Sequence, residues 1–144
     1  VRSFVGAVVL SVVLVSASGC GDDGGGASGP GGSADAGTSL GPDLAQKPDG
    51  WPDDITLPPQ TQITANLVEE ASEGRTRRTV NAKTLLSPED AHAFYADLLA
   101  DWSATGGEPG SVISGAWTSG DRSVSTTAAD AGDTTTLTVT VTEP

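Results

Sequence analysis

Between residues 112 and 143 apolar and hydroxyl side chains alternate with a period of two, the pattern of strands with one face buried and the other in water. Gly120-Asp121 and Gly132-Asp133 interrupt the alternation, and both suit two-residue hairpin loops with glycine at the first central position. With both turns in use, Trp117, Val124 and Val141 line up across three strands, as do Gly115, Thr126 and Val139, and Ile113, Ala128 and Leu137. One face of this meander is then apolar. The other carries Ser114, Thr118, Ser123, Ser125, Thr127, Thr136, Thr138 and Thr140.

Ahead of the meander the period changes. Ser87-Pro88-Glu89-Asp90 offers an N-cap serine, a proline at the first helical position and acids in the first turn. Ala91, Phe94, Tyr95, Leu98, Leu99 and Trp102 follow at helical spacing within an arc of about 140°, with Phe94 and Leu98 at its centre. Gly106 and Gly107, with Pro109 beyond, are expected to stop this helix. Further upstream, Ile63, Ala65 and Leu67 alternate with polar residues, and so do Val80 and Ala82, which reads as one more hairpin. A turn at Glu73-Gly74 sets Glu70 opposite Arg77 and Glu69 opposite Arg78. A four-residue turn from Ala71 to Gly74 sets Glu70 opposite Arg75 instead. The expected fold is α+β, an antiparallel sheet of about five strands in the order ββαβββ with the helix on one face. The strand order across the sheet is left open.

The first fifty residues are of another kind. Phe4 to Val15 is an apolar run of twelve residues behind Arg2 and ahead of small residues, the composition of a secretory signal. Spanning a bilayer takes about 20 mostly apolar residues. The run ends in Ala17-Ser18-Gly19-Cys20, which resembles the lipobox of bacterial lipoproteins. That resemblance implies a signal peptide over residues 1–19, a diacylglycerol on the sulfur of Cys20, and a mature chain held on the extracytoplasmic face of the cell membrane. Two or more acyl chains anchor durably where one does not. An ordinary cleaved signal and an uncleaved anchor are the other readings of the same run. Residues 20–50 comprise the lipidated cysteine and a Gly/Ser/Asp-rich segment, too poor in large apolar side chains to fold, which is expected to act as a disordered tether.

Residues 51–144 form the candidate domain. Its opening Trp51-Pro52-Asp53-Asp54-Ile55-Thr56-Leu57-Pro58-Pro59, the hairpin, Ser87-Pro88-Glu89-Asp90 leading to Phe94-Tyr95, and the closing meander resemble the small soluble domains of uncharacterised predicted lipoproteins of high-GC bacteria. The shared features concern packing and capping, so the resemblance implies an architecture and no activity.

Composition narrows the chemistry. The chain has 19 acids, seven Lys and Arg, one histidine and one cysteine, for a net charge of −12. With Cys20 taken by lipid, no internal disulfide or cysteine metal site is available. Such an acidic domain is a poor partner for nucleic acid. His92 falls at the border of the apolar arc, partly exposed, without a nucleophile-elbow motif to make a triad. Asp90, Asp97 and Asp101 line the other flank of the helix without calcium-loop spacing, and Gly24 to Gly26 have no flanking strand and helix to form a phosphate loop. No catalytic group, cofactor or metal site is assigned. Trp102 and Trp117 are read as core, and Trp51 as packing the incoming chain against the sheet.

Positive charge concentrates in Arg75, Arg77 and Lys83, whose parity places them on the outward face of their strand, with Arg78 facing inward. These three are the candidate contacts to an anionic partner. The sequence thus points to a membrane-tethered, non-catalytic recognition or accessory module that binds an envelope protein or anionic envelope polymer. The alternative is a small-ligand or lipid carrier with a site between helix and sheet, lined by Phe94, Leu98, Trp117 and Val139.

Overall fold

The computed structural model describes residues 39–144, so the signal segment, Cys20 and the tether up to residue 38 lie outside the described residues. The elements are β1 (Thr61–Glu70), β2 (Thr76–Thr84), α1 (Pro88–Leu98), β3 (Ser103–Gly106), β4 (Val112–Ser119), β5 (Arg122–Asp130) and β6 (Thr135–Glu143). All the strands join one antiparallel sheet in the order β1-β2-β6-β5-β4-β3. Among the described residues the fold is α+β, one sheet with one helix. The sheet has six strands where the periodicity gave five, because Ser103–Gly106 pairs with β4.

The meander follows the alternation residue by residue. Trp117 pairs with Val124 and Val124 with Val141, and the Gly115–Thr126–Val139 and Ile113–Ala128–Leu137 rows form as well. Gly120 takes a φ of 57°, which the tight turn between β4 and β5 needs and a side chain would oppose. At the second turn the Ala131 amide donates to the Thr134 carbonyl at 2.9 Å across Gly132-Asp133. Strand β6, built from Thr, Leu and Val, takes a central place with a ladder on each side, its Val139 against Val80 of β2.

The first hairpin departs from both expected registers. Its connection runs from Ala71 to Arg75, closed by the Ala71 amide on the Arg75 carbonyl at 2.7 Å, and Glu73 and Gly74 both adopt positive φ. Glu69 therefore faces Arg77, Glu70 faces Thr76, and Val68 faces Arg78. A bulge at Thr64, whose hydroxyl donates to the Asn81 carbonyl at 3.0 Å, also reverses the parity of β1. Ile63 stays inward opposite Ala82, but Ala65 and Leu67 are turned outward opposite Asn81 and Thr79, leaving Leu67 49% exposed.

Helix α1 starts as expected. The Ser87 hydroxyl accepts from the Asp90 amide at 3.1 Å, and Pro88 opens the first turn. It ends at Leu98 rather than near Gly106, since its last turn has no basic residue to match the helix dipole and the chain beyond gains ladder partners on β4. Its buried face is also rotated. Ala91, Tyr95 and Leu99 are buried, Phe94 is half-buried, and Leu98 is 37% exposed, so the buried face lies about 30° round the helix from the centre of the apolar arc, toward His92.

The core gathers Trp117, Tyr95, Ile55, Leu137, Val80, Val124, Val139 and Val141 between the sheet and its cover. Helix α1 packs on β4 and β5, and Trp51 and Ile55, ahead of β1, are buried in the same core. The Trp51 indole donates to the Ile55 carbonyl at 2.6 Å, as befits an aromatic that packs the incoming chain. Residues 43–50, which the sequence reading gave to the tether, lie along the first hairpin. The Leu44 amide donates to the Ile63 carbonyl, Asp43 accepts from the Ile63 amide, and the Gln46 carbonyl accepts from Asn66.

Candidate functional site: the uncovered sheet face

Strand alternation sends half of the sheet's side chains away from the core. Across the four central strands these are mostly hydroxyls: Thr79 on β2, Thr136 to Thr142 at every second position of β6, Ser123, Ser125 and Thr127 on β5, Ser114 and Thr118 on β4. Several fix one another. Thr79 and Thr140 share a hydrogen bond at 3.0 Å, Ser114 and Thr127 one at 3.2 Å, and Thr138 donates to the Asn81 carboxamide oxygen at 2.9 Å. The centre of the outer face is an ordered plate of short neutral polar groups, bordered by exposed Leu67 on β1 and Val112 on β4.

Its charge is confined to β2 and β1. Arg77 and Lys83 both point outward, as their parity required, and Arg77 meets Glu69 across the hairpin at 4.0 Å with both side chains about half exposed. Such a pair contributes little, about 0–1 kcal/mol. Lys83 is exposed and enters no ion pair among the described residues. Arg75 is different, because its guanidinium donates to the Asp121 carbonyl in the β4–β5 turn. The structure therefore leaves two of the three candidate cations on the face and ties the third to a turn. Six residues along one strand separate Arg77 from Lys83 by about 20 Å, too far to act as one charge centre.

A second charged group, not foreseen from the sequence, closes one end of the inward side. Arg78 donates to Glu143 at 2.9 Å and to the Asp49 carbonyl at 2.9 Å. Arg122 grips both carboxylate oxygens of Asp54, at 2.8 and 2.9 Å, lies 3.5 Å from Glu143, and stacks 5.4 Å over the Trp102 ring. The Arg122 hydrogen bonds hold the Asp54 carboxyl below its usual range, and Asp54 raises Arg122 in return. The inward parity of Arg78, Arg122 and Glu143 was the available signal. What it could not supply was Asp54, which lies outside any strand. Trp102, expected on the helix, lies past its end as the platform for Arg122.

His92 and Tyr95 sit on the inward side. The His92 ring lies 5.4 Å from Trp117 and against Gly107 and Gly115, and its Nδ1 is buried without a hydrogen-bond partner among the described residues. The Tyr95 hydroxyl is buried in the same unpartnered way, and burial pushes its pKa well above the ordinary phenol value. Among the described residues, no serine hydroxyl or carboxylate hydrogen-bonds to the His92 Nδ1. Asp90 is engaged with the Ser87 hydroxyl at 2.9 Å, Asp97 and Asp101 are exposed, and no group of three potential metal ligands occurs among the described residues. Of the proposed carrier lining, Trp117 and Val139 are in the packed core while Leu98 faces solvent, so the four residues do not surround one space. An open cleft of about 360 Å³ lies at the helix N-terminus, lined by Leu86, Pro88, Glu89, Asp130 and Asp133 among others.

No protein-family model, curated protein or solved structure matches this chain.

Proposed function

We propose that this chain is a membrane-tethered extracytoplasmic lipoprotein whose folded domain is a non-catalytic recognition or accessory module of the cell envelope. The observation that carries the reading is the succession along one chain of a lipobox-type Cys20, a Gly/Ser/Asp-rich tether, and a domain with one sheet face left uncovered. The tether, with residues 43–50 held on the hairpin, keeps about 20 free residues, and at roughly 5–6 Å times the square root of that number its typical reach is roughly 25 Å, enough to lift a small domain clear of lipid head groups. The uncovered face then meets whatever polymer or protein occupies that layer.

The full-length protein and its Cys20→Ala variant, expressed in a bacterium with lipoprotein processing, test this reading together. The wild type should partition with membranes and incorporate labelled palmitate, and the variant should do neither. Isolated envelope material should retain the detergent-solubilised wild type. A wild type without label, or without retention, contradicts the anchor or the recognition role respectively.

A further inference from the structure

We infer that the outward face of the sheet is a docking surface for a strand of acidic polysaccharide. The inference rests on the recognition role proposed above and names its partner class. Charge distribution carries the argument. Residues 39–144 hold sixteen acids, yet only Glu69 points outward from the sheet, and it faces Arg77. With Lys83 counted, the face has one more positive than negative charge, while the rest of residues 39–144 carries fifteen acids against four Lys and Arg. An anionic polymer is repelled elsewhere and tolerated here, since local sign governs within a Debye length of about 8–10 Å.

The rest of the face decides between kinds of polyanion. Two cations about 20 Å apart along β2 cannot converge on one doubly charged phosphate group, and suit single charges spaced along a chain. Between them stand hydroxyl and carboxamide groups, spaced about 6.7 Å along each strand and about 4.8 Å across strands. Thr79, Thr138 and Thr140 are held by one another and by Asn81, so these groups are ordered before any ligand arrives. Such a plate offers donors and acceptors to the hydroxyls of successive sugars, while Arg77 and Lys83 meet carboxylates farther along the chain. The four central strands bring no aromatic ring to the face, so each contact is weak, and retention depends on many tethered copies engaging one polymer.

The test uses the full-length chain in detergent on three immobilised polymers: polygalacturonate, neutral dextran, and polyphosphate. The wild type should bind polygalacturonate at low salt and release as salt rises, with dextran and polyphosphate at least about tenfold weaker. Ser125→Glu, which sets an acid in the middle of the face, and the double variant Arg77→Ala with Lys83→Ala should each weaken polygalacturonate binding about tenfold. Ala93→Glu, on the exposed side of α1, should leave it unchanged, and thermal unfolding should show all variants folded. Equal binding to polyphosphate reduces the face to nonspecific charge and overturns the inference, and so does insensitivity to Ser125→Glu. Retention on isolated envelope without binding to polygalacturonate overturns the glycan assignment while the recognition role stands. Absence of retention on envelope sinks the recognition role itself.

Discussion

Gly115 on β4 leaves the space that the His92 ring occupies: a β-carbon there would stand 2.7 Å from His92 Cε1 and 2.5 Å from Trp117 Cη2. Gly107 does the same from the chain entering β4, where a β-carbon would lie 2.5 Å from His92 Nε2. The imidazole is thus seated in a slot whose walls are two missing side chains. Gly115→Ala should cost about 1–3 kcal/mol through overpacking. In Gly115→Ala with His92→Ala, where the ring that receives the new methyl is gone, urea unfolding should show a loss smaller than the sum of the two single losses. Strict additivity would place the clash on Trp117 alone.

The same rotation of α1 sets an order of stability effects. Tyr95→Ala should cost about 3–5 kcal/mol and Leu98→Ala within about 0.5 kcal/mol, with Phe94→Ala between them. Tyr95→Phe removes a hydroxyl buried without a partner and should be neutral or stabilising by up to about 1 kcal/mol. Chemical denaturation of the four variants checks the order, and a Leu98 loss exceeding that of Tyr95 would restore the phase suggested by the apolar arc.

The meander was legible because two turns and a strict alternation constrained the same register, so that Trp117, Val124 and Val141 had one solution. The hairpin before the helix had no such agreement. The bulge at Thr64 depends on a hydroxyl reaching a carbonyl on the neighbouring strand, a contact that local pattern does not encode. The helix phase went astray for a related reason. Periodicity alone puts polar His92 at the border and apolar Leu98 at the centre, but the space beneath His92 is created by Gly115, twenty-three positions later in the chain. The candidate face fared better. Parity alone set Arg77 and Lys83 outward and Arg78 inward, whereas the bond from Arg75 to the Asp121 carbonyl joins two distant turns and left no mark in either segment.

The Asp54–Arg122 pair gives the domain a pH dependence of definite sign. Because the folded state lowers the Asp54 pKa, its contribution is complete above the ordinary aspartate range and fades as pH falls through the lowered value. Asp54 is more than half exposed, so the contribution is about 0.5–1 kcal/mol. Asp54→Asn should unfold at a lower temperature than wild type at pH 6, and the gap should start to narrow as the pH drops below the ordinary aspartate value, about 3.9, and close as it falls through the lowered one. A gap that widens in acid would mean that the carboxylate does not stabilise the fold through Arg122.

Lipidation of Cys20 is what ties the domain to a membrane, and intact mass analysis of the membrane-extracted protein, with sequencing of its N-terminal peptide, tests that residue directly. The expected mature chain has Cys20 as its first residue, its sulfur carrying a diacylglyceryl group. A mature chain that begins elsewhere, or that retains Cys20 as a free thiol, would contradict it.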